Sequence, residues 1–112
     1  MALMTDRRNV AANTTVDNVL AGKIDEFLRM PAVVTLYAIA EAVGVNVSLI
    51  VGSNVVLDDQ EIAARAAGVA ITKPDDLVIQ AGGLAGDRMI LRLRNTTAGA
   101  IIVRTQLETS PV

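Results

Sequence analysis

The segment DRMILRLRNTTAGAIIVRTQLE, residues 87–108, has the most regular pattern in the chain and decides the predicted fold. Apolar and polar residues alternate on both sides of the turn signal NTTAG (95–99), which is typical of two half-buried strands joined by a turn. We expect these strands to pair as a hairpin in which Arg94 lies opposite Ala100. The stretch therefore predicts antiparallel β-structure with one core face.

This pairing separates the side chains of the predicted hairpin into two faces. The expected core face carries Met89, Leu91, Leu93, Ile101, Val103, Thr105 and Leu107. The opposite face carries Ile90, Arg92, Arg94, Ala100, Ile102, Arg104 and Gln106. A slip of one residue would bury the arginines, so the apolar pattern itself supports this register.

The arginine face of the hairpin has two open interpretations, solvent and a protein interface. A nucleic-acid partner is disfavoured, because the net charge is −2 and the chain has one Phe and one Tyr for base stacking. Arginine forks pair with carboxylates and are enriched in contact surfaces, and Ile90 and Ile102 make the face half apolar. The candidate interface residues are Arg92, Arg94, Arg104, Ile90, Ile102, Asp58, Asp59, Asp75, Asp76, Arg7 and Arg8. The four aspartates lie in predicted loops, from which an adjacent copy could supply carboxylates.

The C-terminal part of the chain is predicted to consist of strands and turns. The segment AVVTLYAIA (32–40) is apolar on both faces, as in a strand covered on both sides, although its period alone does not exclude a helix. VNVSLIV (45–51) alternates, and GSN (52–54) turns the chain into VVL (55–57), which predicts a hairpin. With the later segments this makes about six short strands. We therefore expect residues 31–112 to form a mainly β domain, a small β-sandwich or barrel.

The N-terminal part of the chain predicts an arm followed by one helix. Residues 1–14 are polar, small and without period, which indicates an extended arm docked either on a neighbouring copy or on its own domain. Residues 15–30 predict an amphipathic helix that has Thr14 or Thr15 as its N-cap and ends before Pro31. The apolar stripe of this helix would consist of Val16, Leu20, Ile24, Phe27 and Leu28.

The composition removes most catalytic chemistries. The chain has no His and no Cys, which excludes thiol nucleophiles, imidazole bases, disulfides and thiolate or imidazole metal sites. What remains is carboxylate chemistry, hard-cation binding, or a nucleophile from Lys23 or Lys73, and none of these shows a motif. We therefore expect a non-enzymatic protein without a cofactor.

Two short motifs are better explained as turns than as binding sites. GGLAGDR (82–88) lacks the Lys-Ser/Thr ending of a phosphate loop, and a predicted strand follows it, so no helix N-terminus would face a phosphate. The pairs Asp58–Asp59 and Asp75–Asp76 lack the alternating acidic spacing of a calcium loop. We expect turn and cap roles at these positions.

The apolar content of the chain predicts contacts between subunits. Hydrophobic residues make up 52% of 112 residues, and a domain this small buries only a modest fraction of its surface. No apolar run reaches the roughly 18 residues of a membrane span. No segment has the pattern of a signal peptide, so we expect synthesis in the cytosol without export.

In these features the chain resembles small virion structural proteins of bacterial viruses, particularly capsid decoration or cement proteins and minor capsid proteins. The resemblance consists of the arm MALMTDRRNVAANTT, an aliphatic β-core poor in aromatic residues, and the hairpins LIVGSNVVL and LRLRNTTAGAIIV. It implies a structural protein that self-assembles, plausibly as a trimer or pentamer, or binds another virion protein on a larger shell. It also implies localisation in the virion, and neither a nucleic-acid nor a membrane partner is expected.

Two alternatives to this interpretation stay open. One is a virion module associated with the tail or a fibre. The other is a small cytoplasmic binding module with an apolar groove.

Overall fold

The computed structural model describes residues 2–23, 26–72 and 75–111, and eight strands lie in these ranges. They are β1 (Ala2–Val10), β2 (Thr15–Val16), β3 (Ala32–Ala40), β4 (Val45–Val51), β5 (Asn54–Glu61), β6 (Leu77–Gly83), β7 (Met89–Asn95) and β8 (Ile101–Pro111). Sheet A has the order β1-β8-β3-β6 and sheet B the order β2-β7-β4-β5. The predicted mainly β class is confirmed, with two antiparallel sheets arranged as in a sandwich.

The strand order is that of a long antiparallel ribbon that has been rolled up. Four nested pairs follow the chain outward from its middle: β4 with β5, β3 with β6, β2 with β7, and β1 with β8. Rolling the ribbon brings β8 beside β3 and β7 beside β4, which adds two more antiparallel ladders. Eight strands wound in this way into two sheets form a jelly roll.

The core is an aliphatic layer between the two sheets. Each long central strand alternates side chains between its two faces, so every second residue points into this layer. The fully buried large side chains of this layer are Leu20, Leu36, Leu49, Met89, Leu91, Leu93, Leu107, Val10, Val34, Val45, Val47 and Val103. Branched aliphatic residues fit a pleated surface well, which explains how the sheets close with so few aromatic side chains.

The predicted pairing of β7 with β8 is wrong, although the predicted alternation along each strand is correct. β7 pairs with β2 and β4 in sheet B, whereas β8 pairs with β1 and β3 in sheet A. The connection 96–100 therefore crosses from one sheet to the other. Leu91 and Leu93 face Val103 and Leu107 across the core instead of lying beside them. Alternation records which side chains are buried but not which strand lies alongside, so the pattern fits a hairpin and a crossing connection equally well.

The helix predicted at 15–30 is not seen. In its place lie the short strand β2 and a sequence of turns, with Ile24 and Asp25 outside the described residues. Gly22 has a φ of 79°, a left-handed conformation that interrupts a helix. The segment instead binds the exposed edge of β7: Val19 donates its N–H to Leu91 O at 2.8 Å. The helical spacing of the apolar residues does not correspond to a helix. Leu20 and Leu28 belong to an irregular segment and are buried in the core, whereas Phe27 is exposed.

Most of the predicted N-terminal arm is a strand of the same chain's sheet. β1 is extended along β8 from Ala2 opposite Thr109 to Val10 opposite Ile101. Of the two docking positions that the sequence left open, the structure places the arm on its own chain. Strand β1 is thus an edge strand of sheet A.

The connections gather at two ends of the sandwich. Segments 17–23, 26–31, 52–53 and 84–88 meet at one end, where Leu28 donates its N–H to Asp87 O and Gly52 to Arg88 O. The remaining connections meet at the opposite end.

Asn95 joins the connections at that second end. Its side chain is buried, with 1% of its surface exposed. The amide Nδ2 donates to Val10 O at 3.0 Å, Ala11 O at 3.3 Å and Gly99 O at 2.8 Å, and Oδ1 accepts from Thr97 N at 2.9 Å. One side chain thereby satisfies backbone groups of two separate connections.

Replacing Asn95 is expected to destabilise the fold strongly. Asn95→Ala should lower the free energy of unfolding by about 3 kcal/mol, because the buried Val10 O and the part-buried Ala11 O, Gly99 O and Thr97 N lose their partner. The control Asn9→Ala, at an exposed position on edge strand β1, should change it by less than about 0.5 kcal/mol. Urea titrations followed by circular dichroism measure both, and equal losses in the two variants would contradict the role given to Asn95.

Candidate interaction surfaces

The structure separates the three arginines that the sequence placed on one face. Arg92 and Arg94 lie on the outer face of sheet B, together with the half-buried Ile90. Arg104 and Ile102 lie on the outer face of sheet A, on the opposite side of the molecule. The predicted continuous arginine face does not exist, because the two strands that carry it belong to different sheets.

Arg94 has a carboxylate partner within its own chain. Its Nε donates to Asp59 Oδ1 at 3.0 Å and its Nη2 donates to Asp59 Oδ2 at 2.5 Å, which makes a bidentate ion pair. The Arg94 guanidinium lowers the pKa of the Asp59 carboxyl below its ordinary value, and the carboxylate in turn raises the pKa of Arg94. The sequence suggested that an adjacent copy supplies this carboxylate, but the structure places Asp59 of the same chain there.

A β-bulge directs Asp59 toward Arg94. Val47 pairs with Gln60 and Leu49 with Leu57, so the single residue Ser48 lies opposite two residues of β5. Asp59 takes a φ of 49° in this bulge, and its N–H donates to Ser48 Oγ at 2.9 Å. Bulges commonly re-aim a side chain and disrupt an edge strand, as this one does at the edge of sheet B.

The remaining candidates on sheet B form a mixed surface next to this ion pair. Ile90 pairs with Ile50, which pairs with Val55, so a row of three aliphatic side chains crosses the outer face. Arg92 is exposed in the next outward position of β7, and Asp58 is exposed on β5. This surface combines aliphatic and charged side chains, but it is not the face predicted from Ile90 and Ile102 together, because Ile102 lies on sheet A.

The Asp75–Asp76 pair has one exposed and one buried member. Asp75 is exposed, whereas Asp76 has 5% of its surface exposed. The Asp76 carboxylate accepts hydrogen bonds from Arg65 Nη2 at 2.9 Å and from Thr72 N at 2.8 Å. Asp76 therefore holds the β5–β6 connection (62–76) in place and is not available to a partner. The sequence predicted a turn role for this pair, but it did not predict the hydrogen bond that Arg65 donates to Asp76.

Arg8 also pairs within the chain. Its Nε donates to Asp6 Oδ2 at 2.6 Å and its Nη2 donates to Asp6 Oδ1 at 3.1 Å. Asp6 and Arg8 lie on the same face of edge strand β1 as the buried Met4 and Val10, because the four residues are spaced two apart. They therefore project from the inner side of the strand. Charged residues that point inward from an edge strand oppose pairing with a further strand. Arg8 therefore protects the edge, while Arg7 points to the outer face.

The end formed by segments 17–23, 26–31, 52–53 and 84–88 is named here the apolar end. Three large hydrophobic side chains protrude from it: Phe27, Met30 and Leu84, with 53%, 50% and 68% of their surfaces exposed. A groove of about 500 Å³ lies beside them, bounded by Pro31, Val51, Gly83 and Leu84. The sequence analysis missed this surface, because it assigned Phe27 to the buried stripe of a helix and residues 82–88 to a simple turn.

A buried carboxylate holds the apolar end together. Glu26 has 8% of its surface exposed; it accepts from Arg88 Nε at 2.5 Å, Gly22 N at 3.1 Å and Asn18 Nδ2 at 3.4 Å. Arg88 also lies over the Phe27 ring, with its guanidinium carbon 6.0 Å from the ring centre. The hydrogen bond from Arg88, followed by that from Gly22, lowers the pKa of the Glu26 carboxyl below its ordinary value of 4.5. Phe27 is therefore presented by an ordered segment.

Neither a metal cluster nor a membrane helix is found in the described part of the chain. Within residues 2–23, 26–72 and 75–111, no three Asp or Glu side chains are grouped so that they could hold a metal ion. In the same ranges, no helix has the length and apolar character needed to cross a membrane.

Comparison of the chain with protein-family models, with curated proteins and with solved structures found no match.

Glu26 is expected to make the stability of the protein sensitive to acid. Because its folded-state pKa lies below 4.5, its contribution is complete above the unfolded-state value and is lost as the pH falls through the folded-state value. Glu26→Gln should lower the free energy of unfolding at pH 7 and make it fall less steeply below about pH 4.5. Asp59, whose pKa is also lowered, contributes with the same sign to both proteins and cancels in the comparison.

Denaturant titrations between neutral and acidic pH provide this measurement. Asp17→Asn, which removes an exposed carboxylate from the same segment, is measured in parallel as the control for a change of net charge. Parallel profiles for wild type and Glu26→Gln would show that the buried ion pair does not contribute to stability in this way.

Proposed function

We propose that this chain is a non-enzymatic structural protein that associates with copies of itself or with a larger protein shell. Within that class, a virion component such as a capsid decoration or minor capsid protein fits best. The proposal rests on the shape of the fold and on the side chains that it leaves exposed.

The observation that carries the proposal is the rolled strand order. Jelly rolls of eight strands in two sheets recur in viral capsid proteins, and also in lectins and cupins. Since one fold serves several functions, the strand order supports a capsid role only by analogy. The exposed side chains must supply the rest of the support.

Those side chains favour a protein that is covered by other proteins. The large hydrophobic residues exposed to 39–68% are Leu3, Phe27, Met30, Val43, Val55, Val69, Leu77 and Leu84. Single exposed apolar residues are common on soluble proteins, but contiguous groups of them mark interaction sites. Phe27, Met30 and Leu84 protrude at the same end of the sandwich, and the neighbouring groove, which Leu84 lines, is largely apolar. Protruding side chains beside a groove can pack against a second copy around a symmetry axis.

The mass of the purified protein in solution tests self-association. Light scattering behind size exclusion should give a defined multiple of the 11.7 kDa chain. The multiple should persist between about 0.1 M and 1 M salt, because burial of apolar surface is not screened as ion pairs are. A mass that falls to the monomer at high salt would instead assign the contact to charged residues.

Substitutions at the apolar end locate the interface. Phe27→Ser combined with Leu84→Ser should shift the mass to that of the monomer while the circular dichroism spectrum stays unchanged. The control is Val43→Ser. Val43 lies at the opposite end and, like Leu84, has 68% of its surface exposed, so this substitution should leave the oligomer intact. A wild-type protein that is monomeric at all concentrations would overturn self-association.

The virion role has a separate readout. A virion component is recovered with purified virus particles in a fixed number of copies per particle, whereas a cytoplasmic binding module stays in the soluble fraction. Quantitative mass spectrometry of gradient-purified particles distinguishes the two.

A further inference from the structure

Two arginines face each other across neighbouring strands on the outer face of sheet A. In the β1–β8 ladder, Arg7 lies directly opposite Arg104. Like charges in directly opposite positions of an antiparallel pair destabilise it, unless an anion lies between them or close by. Among the described residues, neither arginine forms an ion pair, in contrast to the nearby Arg8, which pairs with Asp6 on the other face of β1.

Arg104 also has a donor without an acceptor. Its Nε is buried and makes no hydrogen bond to any described residue. A buried donor that is left unsatisfied costs free energy, so such groups in native proteins commonly have a ligand, an ion or a water as partner. The charge pair favours a negatively charged partner, and the unsatisfied donor requires an acceptor; an anion with acceptor oxygens meets both requirements.

The arginine pair opens into a groove of about 340 Å³. Thr5 and Gln106 continue the polar wall formed by the two strands, and Ala70 and Ile71 of the β5–β6 connection form an apolar wall. The acidic groups nearby are already engaged: Glu108 accepts from Gln106 Nε2 at 3.3 Å, and Asp6 is held by Arg8. The volume lies within the range of small-molecule sites.

We propose that this groove, named here the Arg7–Arg104 groove, binds an oxyanion of carboxylate or phosphate type. The two guanidinium groups share the charge of the anion. Arg104 Nε is covered in the anion-free chain, so the Arg104 side chain turns toward the groove to donate one hydrogen bond from this atom. The Thr5 hydroxyl and the Gln106 amide provide further donors, while Ala70 and Ile71 accommodate a short apolar body attached to the anion. The site does not depend on the proposed virion role, because its ligand is a small ion and its geometry lies within one chain.

Titration of the protein with two anions, followed by nuclear magnetic resonance, tests the proposal. Inorganic phosphate and butyrate are the probes, with sodium chloride at equal ionic strength as the reference. The Arg104 Nε–H resonance of the full chain should shift in a saturable way with a millimolar Kd. Saturation by phosphate alone identifies a phosphate-type site, saturation by butyrate alone a carboxylate site with an apolar extension, and saturation by both a general oxyanion site.

Matched substitutions assign the binding to these side chains. Arg7→Gln, at an exposed position, should weaken binding at least tenfold and raise the Tm of the anion-free protein, because it removes the charge repulsion. Arg104→Lys keeps the charge but removes the Nε donor and should also weaken binding tenfold, monitored at the backbone amides of Arg7 and Gln106. Arg92→Gln, on the outer face of sheet B, removes the same charge elsewhere and should leave the Kd unchanged.

Three results would overturn the proposal. One is the absence of saturation with both probes. Another is a sodium chloride titration that reproduces the shifts, which would reduce them to screening. The last is an unchanged Kd in Arg7→Gln and Arg104→Lys.

Discussion

The structure depends on closing two aliphatic sheet faces against each other. Leu91 and Leu93 from one sheet, and Val103 and Leu107 from the other, belong to one buried cluster, and none of them offers a polar group to hold its position. Hydrophobic burial is not directional, so the sandwich is oriented by the hydrogen bonds at its rim. Asn95 provides this constraint at one end and Glu26 with Arg88 at the other. Removing either network would leave an apolar layer whose volume is filled but whose connections are less well fixed.

The sequence predicted the fold class and most of the buried residues of β7 and β8. Alternation in β7 and β8 assigned Leu91, Val103 and their neighbours to the core, because a period of two residues depends only on local geometry. It did not reveal that the two strands belong to different sheets. Partner choice depends on contacts between residues far apart in the chain, and no local pattern records these. The predicted helix was wrong for the same reason, since the edge of β7 that binds Val19 and Glu26 through backbone hydrogen bonds is a tertiary feature.

The candidate residues show the same limit. The sequence identified Arg94 and Asp59 separately, but their pairing requires a bulge that places Asp59 at a positive φ. It identified Arg104 and Arg7 without indicating that they lie side by side. It did not single out Asn95, although the triplet NTT that begins there was recognised as part of a turn. Four arginines, Arg8, Arg65, Arg88 and Arg94, pair with carboxylates of the same chain, whereas Arg7 and Arg104 lie side by side at their own groove.

The nested order of the strand pairs also has a consequence for how the molecule folds. The pair β4–β5 closes across a two-residue turn, whereas each further pair must bring together segments that are more distant in the chain, and β1 meets β8 across all the others. Contacts between distant segments slow folding, because the entropy of loop closure is lost before the contacts form. We expect the ribbon to zip outward from its middle, with the outermost pair closing last. Arg7 and Arg104 come together only in that final step, so the groove they line exists only in the completely folded chain.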